Sequence, residues 1–415
     1  MGNYFRELFN FNIDVKLFLL RTFIISLYAG VYGVVFNLYI LDLGFREDFL
    51  GLLLSVTLLA SSLTSIPAGI LCDRVGRRRS MVVSSFLSAA TVFPIFLTDS
   101  PVLLLLFCGI GGVFNSVSAV CVAPFLIENN VGKNSVRVFS ANSALSWTAS
   151  VAGCAISGVL SGIWVHIPAL ANMGSHRLTL LAAAFLLIPG CILLLFMKDR
   201  SELKPVNKLT FRGFKLSPNV KKFTAISMLI GTGSGMIVPY FNVYFTKVLN
   251  AGVFEIGIVF AAADILMVMG FMAIPWLVKK IGKVRSSVIT EMSSVPFLIM
   301  MAATNNFMIA STSYVARMFL MNVAGPATTS FQMEQLKAEE RGLAVGVMST
   351  GNSLALCVST YAGGLLMAGG NYILPYWITC AAYILAACLM YHYFRNAEKA
   401  APVMHDNLSQ PSAAI

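Results

Sequence analysis

Two long apolar runs, at about residues 50–71 and 81–97, meet at the charged stretch GILCDRVGRRR, residues 69–79. The stretch holds four arginines, Arg74 and residues 77–79, and one aspartate, Asp73. Charges are costly in hydrocarbon, so the stretch is predicted to be a loop between two membrane-spanning helices. Because short loops rich in Lys and Arg stay in the cytoplasm, this loop is expected on the cytoplasmic side.

The composition of the whole chain indicates a membrane protein independently. Apolar residues make up 57% of the chain, charged residues 11%, and the mean hydropathy is +0.79; a soluble domain has about 25% charged residues. The pattern predicts an all-α membrane protein, since twelve runs reach the roughly 20 residues that a spanning helix needs. These runs, numbered spans 1 to 12, are about 17–41, 49–72, 80–98, 101–126, 140–165, 177–197, 223–246, 253–278, 287–303, 307–330, 343–368 and 373–394.

The basic residues are distributed unevenly around the predicted spans. The chain has 29 Lys and Arg and a formal net charge of +11. With the N-terminus inside, three fall on the outer side (Arg46, Arg177 and Lys247), Arg317 falls inside span 10, and the other 25 fall in cytoplasmic segments. The asymmetry predicts that both termini are cytoplasmic. We expect the protein in a plasma (inner) membrane. It explains the positive charge without nucleic-acid binding.

Cysteine and histidine residues give no sign of a metal site. The eight cysteines lie in or beside apolar runs, and the four histidines are scattered. We interpret the cysteines as small buried hydrophobic residues and expect no metal and no cofactor. Neither a phosphate-binding loop nor the residue set of an enzyme active site occurs, so the sequence does not predict an enzyme.

The two halves of the chain repeat each other at an offset of about 206 residues. FNLY at 36–39 recurs as FNVY at 241–244, and Gly76 recurs as Gly282. Such matches indicate a duplicated six-helix unit. The predicted organisation is an N-terminal six-helix bundle (1–197), a cytoplasmic linker (198–222), a C-terminal six-helix bundle (223–394) and a disordered cytoplasmic tail (395–415).

Residues 69–79 resemble the signature loop between helices 2 and 3 of the major facilitator superfamily, Gly-x-Leu-x-Asp-Arg-x-Gly-Arg-[Arg/Lys]. The resemblance implies two pseudo-symmetric six-helix bundles that alternate access to a central site lined by helices 1, 4, 7 and 10. Spans 1–3 look most similar to drug–proton antiporters. The arginine that those proteins carry at about Leu105 and their Gly-Pro pair in span 5 are absent, so the subfamily stays open. The matching residues are Gly69, Leu71, Asp73, Arg74, Gly76, Arg77 and Arg78.

The resemblance also implies a gate at the cytoplasmic ends of the helices. The Asp73 carboxylate would meet the positive start of span 11. In the second half, Lys280 or Lys283 would pair with Glu334. The alternative is a set of surface ion pairs, each worth about 0–1 kcal/mol. The gating residues are Gly69, Asp73, Arg74, Gly76, Arg77, Glu128, Arg137, Glu334 and Arg341.

Aromatic and amide side chains mark spans 1 and 7. Tyr28, Tyr32 and Phe36 recur every four residues and share one helix face. An amide in hydrocarbon must find a partner or face water, so these residues predict a wet, aromatic-lined cavity; helix–helix packing is the alternative. The run GTGSG at 231–235 predicts a flexible or broken helix in span 7. The cavity candidates are Tyr32, Asn37, Asn115, Tyr240 and Asn242.

Two charges fall near the middle of the membrane. Asp264 lies about eleven residues into span 8 and Arg317 about ten residues into span 10, so their depths agree at 1.5 Å per residue. Charges at this depth are functional by default, although a structural ion pair fits as well. Glu291 starts span 9 and is interpreted as a bundle-stabilising acid.

The leading hypothesis is a monomeric secondary active transporter that exports an amphipathic organic solute by proton antiport, with Asp264 as the titrating group. The first alternative is a facilitator or importer of a neutral or anionic metabolite, with Arg317 holding an anionic group. A lipid transporter is the second. The expected partners are therefore a small-molecule substrate, protons and the lipid bilayer.

Overall fold

The computed structural model describes residues 11–129, 135–165, 174–198, 217–336 and 341–396, and no strand occurs in these ranges. The first half contains α1 (Ile13–Asp42), α2 (Glu47–Val75), α3 (Arg77–Leu97), α4 (Pro101–Asn129), α5 (Ser135–Val165) and α6, which has the two segments Ser175–Ala184 and Leu187–Leu195. The second half contains α7 (Pro218–Ile237, the 3-10 turn Val238–Tyr240, and Phe241–Lys247), α8 (Val253–Ile281), α9 (Lys283–Ala303), α10 (Phe307–Val323 and Gly325–Glu334), α11 (Arg341–Ala368) and α12 (Leu374–Phe394).

The predicted all-helical architecture is confirmed. Within the described residues, ten helices are long and apolar enough to cross a membrane, and α8 and α11, with 29 and 28 residues, occupy the places of the other two predicted spans. The helix ends differ from the predicted ones by several residues. α7 begins at Pro218, inside the segment assigned to the linker, where the Ser217 side chain accepts a hydrogen bond from the Val220 N–H. Serine before a proline is a favoured helix start because proline needs no N–H partner there.

Two glycines with positive φ make equivalent turns at one end of the molecule. Gly76 joins α2 to α3 with a φ of 100°, and Gly282 joins α8 to α9 with a φ of 91°. A side chain is strained in this conformation, which explains why glycine recurs at an offset of 206. We call this end the Gly76 end. The opposite end, where Gly44 follows α1, is called the Gly44 end.

The interruption of α7 lies beyond the run GTGSG, which corrects the prediction for this helix. Residues 231–235 are helical, and the helix changes to a 3-10 turn at Val238–Tyr240, where Pro239 cannot donate a backbone hydrogen bond. The glycines serve close packing instead. A Cβ on Gly231 would lie 2.5 Å from the carbonyl oxygen of Asn352 in α11.

The structure corrects the interpretation of the cysteines. Cys72 in α2 and Cys121 in α4 form a disulfide with a Cα–Cα distance of 6.5 Å, within the range that a disulfide allows. Six further cysteines are free, and five of those are buried. The disulfide joins two helices 49 residues apart in sequence, so no local spacing could have indicated it.

The halves contact each other through pairs of helices related by the repeat. α2 packs along α11, and α5 packs along α8. Small residues bring these helices together: a Cβ on Gly51 would lie 3.1 Å from the Cα of Gly364, and one on Gly257 would lie 2.4 Å from the carbonyl oxygen of Cys154. The interface between the halves therefore depends on close backbone approach.

Candidate functional site

The described hydrogen bonds between the halves lie between the helix centres and the Gly44 end. Those nearest the Gly76 end join Ser55 to the Cys357 carbonyl at 2.8 Å and Ser150 to Asp264 at 3.1 Å. The molecule is therefore closed at its Gly44 end.

Asn37 and Asn242 form a clasp between α1 and α7. The Asn37 Nδ2 donates to the Asn242 Oδ1 at 2.8 Å and to the Pro239 carbonyl at 2.5 Å, and the Asn242 Nδ2 donates to the Val34 carbonyl at 2.9 Å. Both asparagines are buried. The two residues sit at equivalent places in the repeat, and they bind each other rather than line a described cavity.

Further contacts close the same end. The Tyr240 hydroxyl donates to the Thr360 carbonyl at 2.5 Å, a bond within the second half that lies beside the crossing of α2 and α11. The Tyr372 hydroxyl, in the loop before α12, donates to the Glu47 carboxylate at 2.6 Å. Burial raises the pKa of Tyr372, and the hydrogen bond to Glu47 raises it further, so this phenol keeps its proton at physiological pH. The Arg46 guanidinium donates to the Ala368 carbonyl nearby.

A cavity of about 440 Å³ lies within the first half, among α1, α2, α3, α4 and α6. Its volume is in the range of small-molecule sites. The cavity contains two of the predicted pathway residues, Tyr32 and Asn115, and its lining residues include no acid. The Tyr28 and Tyr32 rings lie 5.8 Å apart, whereas Phe36 stacks on Tyr32 at 4.3 Å and is buried beyond the cavity. In the predicted aromatic stripe, Tyr28 and Tyr32 thus line the cavity, whereas Phe36 packs against Tyr32.

Arg21 is a charged residue of this cavity that sequence reasoning missed. Its side chain is 6% exposed. The Nη2 donates to the hydroxyls of Ser85 at 3.0 Å and Ser118 at 3.3 Å, and the guanidinium lies 5.7 Å from the Phe18 ring centroid. The Nε is buried and has no hydrogen-bond partner. The charge count assigns Arg21 to a cytoplasmic segment although the predicted span 1, residues 17–41, includes it. Because α1 begins at Ile13, Arg21 lies about 12 Å inside the helix.

Arg317 in α10 is also buried and is 2% exposed. Its Nη2 donates to the Tyr383 hydroxyl at 2.6 Å, and the guanidinium lies 5.3 Å from the Phe241 ring centroid. Its Nε has no partner. Asp264 accepts a hydrogen bond from Ser150 of α5 instead, and in the described structure the two charges do not pair.

An aromatic residue stands near both mid-membrane charges. Tyr314 interacts electrostatically with Asp264 and with Arg317, and its ring stacks on Phe260 at 5.1 Å and meets Phe241 edge-on at 4.8 Å. Glu291 is buried in α9 and interacts electrostatically with Tyr383. Asp264 and Arg317 therefore share an aromatic neighbour in the second half without pairing with each other.

The gating residues of the second half make their described contacts within that half. Lys283 of α9 forms an ion pair with Glu334 of α10 and donates to Ser330 at 3.1 Å. The Arg341 Nε donates to the Leu336 carbonyl at 3.3 Å. These contacts join neighbouring helices and do not bridge the halves.

In the first half, Gly76 makes the turn described above. Arg78 donates to the carbonyls of Leu194 and Leu195 at 3.2 and 2.5 Å, an arrangement that suits the negative end of α6. Gly69 approaches Val120 of α4, Arg74 is exposed and Arg77 is partly buried. The side chains of Asp73, Glu128 and Arg137 lie outside the described residues.

Comparisons with known proteins agree with this architecture. The sequence profile of the Major Facilitator Superfamily matches residues 18–336. An uncharacterized membrane protein of Saccharomyces cerevisiae is 23% identical over 421 residues, covering 91% of this chain and 93% of that protein. An uncharacterized MFS-type transporter of Methanocaldococcus jannaschii is 23% identical over 363 residues, covering 84% and 89%.

Solved structures share the fold at low sequence identity. A bacterial homologue of the iron transporter ferroportin in an inward-facing state has a TM-score of 0.76 and 13% identity, covering 92% of this chain and 98% of that one. A D-xylose–proton symporter has a TM-score of 0.71 and 14% identity, covering 91% and 96%. The resemblance to drug–proton antiporters remains a prediction. Because the family profile matches more than half of the 415 residues, the chain belongs to the Major Facilitator Superfamily of membrane transporters.

Proposed function

We propose that the protein moves an organic solute in exchange for protons by alternating access, and that Asp264 carries the proton. Its hydrogen bond with Ser150 is the observation that supports this role most directly. The bond joins α5 of the first half to α8 of the second, near the middle of both helices. Asp264 has no cationic partner among the described residues, so a proton can reach its carboxylate without displacing an ion pair.

Protonation changes what this carboxylate can do. An ionised carboxylate only accepts hydrogen bonds, whereas a carboxylic acid also donates one. Because the contact lies between the halves, the proton alters an interaction that must rearrange when they move. If the open and closed forms bind the proton with different affinities, a proton gradient shifts the balance between the two forms.

A distance measurement tests the coupling before any solute is known. In a cysteine-free background, spin labels at Arg79 and Arg285 report on the Gly76 end, and labels at Val102 and Asn305 report on the Gly44 end. Between about pH 5 and about pH 8, the two distances should change in opposite directions in the wild type. Asp264→Asn should remove that pH dependence.

The matched control is Glu255→Gln on the same helix. Glu255 is an exposed acid whose carboxylate accepts from the Gly252 N–H at 2.8 Å, a role that glutamine also fills. This variant should keep the full pH response. A wild-type distance that does not change with pH, or an Asp264→Asn protein that responds like the wild type, would contradict the coupling role.

Proteoliposomes then test transport and its direction. With an imposed pH gradient, addition of a carried solute should dissipate the gradient, and labelled solute should move against the proton flux if the exchange is antiport. Solute movement that does not depend on the pH gradient would favour a facilitator. The two buried arginines make an anionic metabolite the solute to try first in that case.

A further inference from the structure

We propose that the cavity of the first half binds an organic anion, with Arg21 holding a carboxylate or phosphate group and Tyr28 and Tyr32 contacting an apolar body. The inference rests on the proposed function, because it names the class of solute that the transporter would carry. It is argued from the charge, the burial and the shape of the cavity, each of which is independent of Asp264.

The first step is the charge of the cavity. Arg21 stays protonated at any physiological pH, and its only described hydrogen-bond partners are two neutral hydroxyls, Ser85 and Ser118. The lining residues include no aspartate or glutamate. A buried charge without a counter-charge is costly, so an anionic group beside Arg21 would be strongly favoured.

The second step is the donor geometry at Arg21. Ser85 and Ser118 both hold the Nη2, and no described hydrogen bond involves the Nη1 of this cavity-lining side chain. A guanidinium presents its donors in a planar fork that suits carboxylate and phosphate oxygens. Asn115 lies one helical turn from Ser118 on α4 and lines the same cavity, so its amide adds a further donor for the anionic group.

The third step is the shape of the site beyond Arg21. Tyr28 and Tyr32 follow Arg21 on α1 by seven and eleven residues, about 10 and 16 Å along the helix axis. Val92, Ile95 and Phe96 line the facing side on α3. The cavity thus has a cationic end and an aromatic, apolar end, which fits an elongated amphipathic anion about 10–16 Å long.

Arg317 differs from Arg21 in its surroundings. It is almost fully enclosed and donates to Tyr383, and it does not line this cavity. The carboxylate or phosphate group beside Arg21 can belong to a soluble aryl acid or to a single-chain phosphate lipid, so the test includes both kinds of ligand.

The test is equilibrium binding by calorimetry, with the full chain in nanodiscs of zwitterionic lipid. The probes are biphenyl-4-carboxylate, biphenyl-4-yl phosphate, a single-chain lysophosphatidic acid, and biphenyl-4-carboxamide as a neutral analogue of the same shape. At least one anionic probe should bind tenfold or more tightly than the neutral amide. Arg21→Gln should lower the affinity for that anion about tenfold or more and change amide binding less than about threefold. Arg21→Lys should recover part of the loss.

Two further variants keep the proposal open to refutation. Arg177→Gln is the matched control, because Arg177 pairs with Asp99 at the Gly44 end and does not line the cavity; it should leave all affinities unchanged. Asn115→Asp keeps Arg21 and places a carboxylate in the cavity, so it should weaken anion binding at least tenfold even if Arg21→Gln fails to fold.

The proposal is overturned if no anion binds more tightly than the amide, if Arg21→Gln weakens anion and amide equally, or if Asn115→Asp has no effect on the anion. Preference for the lipid over both biphenyl anions identifies a lipid headgroup as the source of the charge. Equilibrium binding needs neither protons nor movement, so a failed Asp264 experiment leaves this result intact. Conversely, if no anion binds, the anion site is refuted, whereas the pH-dependent distances still test the role of Asp264.

Discussion

The clasp between Asn37 and Asn242 should set how strongly the Gly44 end resists opening. Replacing Asn37 with leucine removes its hydrogen bonds to the Asn242 Oδ1 at 2.8 Å and to the Pro239 carbonyl at 2.5 Å. Each net hydrogen bond contributes about 0.5–1.5 kcal/mol. The closed arrangement should therefore lose about 1–3 kcal/mol relative to an open one.

The local geometry places the expected loss in the lower part of this range. The Asn242 Oδ1 also accepts from the Val243 N–H at 3.0 Å, so it retains a donor after the substitution. The Asn242 amide keeps its own bond to the Val34 carbonyl. A loss of about 1.4 kcal/mol is a factor of ten in an equilibrium constant, and a minor open population of about 1% would become about 10%.

Double electron–electron resonance measures this population directly. Spin labels at Val102 and Asn305, on different halves at the Gly44 end, should show a longer distance whose weight rises about tenfold in Asn37→Leu. Asn322→Leu is the control, because the Asn322 amide is exposed and donates only to the Met318 carbonyl of its own helix. It should leave the distribution unchanged.

A double-mutant cycle checks that the two asparagines act together. The combined Asn37→Leu and Asn242→Leu protein should open less than the sum of the two single effects predicts, because the shared bond can be lost only once. Additive effects, or an unchanged distance distribution in Asn37→Leu, would refute the clasp.

Three further predictions follow from other contacts. Gly364→Ala should prevent full closure of the Gly44 end, because its Cβ would lie 2.5 Å from the Glu47 carbonyl oxygen. Gly346→Ala on the same helix is the control: nothing lies within 4 Å of its Cβ, so it should be neutral in the same distance measurement. Thiol titration of the denatured protein should find six free cysteines before reduction and eight after it; eight before reduction would contradict the disulfide. In intact cells with a cysteine-free background, a cysteine at Asn305 should react with an impermeant reagent and one at Arg79 should not, and the reverse pattern would overturn the predicted orientation.

Hydropathy and charge were sufficient to predict the fold because they act on whole helices. Apolar runs of about 20 residues leave little choice but a spanning helix, and the turn at Gly76 needs a residue that tolerates positive φ. Depth along a helix axis was likewise predictable, which is why Asp264 and Arg317 were correctly placed inside their helices.

The lateral arrangement of the helices could not be predicted in the same way. The axial depth of Asp264 does not indicate that it faces Ser150 rather than Arg317, because that depends on the rotation of α8 and α10. Asn37 and Asn242 were recognised as equivalent, but their contact depends on the approach of α1 to α7. Arg21 was missed because its depth depends on where α1 begins, and helix ends are the least certain part of a sequence-based assignment.

The two halves make equivalent turns at Gly76 and Gly282 but differ in the chemistry of their buried side chains. In the first half, Arg21 lines a cavity whose other lining residues are uncharged. In the second half, Arg317 is enclosed by aromatic rings, and an acid, Asp264, contacts the other half. On the proposals above, the first half binds the solute and the second half responds to protons. The contacts of α1 with α7, α2 with α11 and α5 with α8 are among those that can then connect the two events. The Ser150–Asp264 bond lies on one of these contacts, so Ser150→Ala should leave anion binding at Arg21 unchanged while weakening the pH response of the distances, a combination that a purely structural role for Ser150 does not produce.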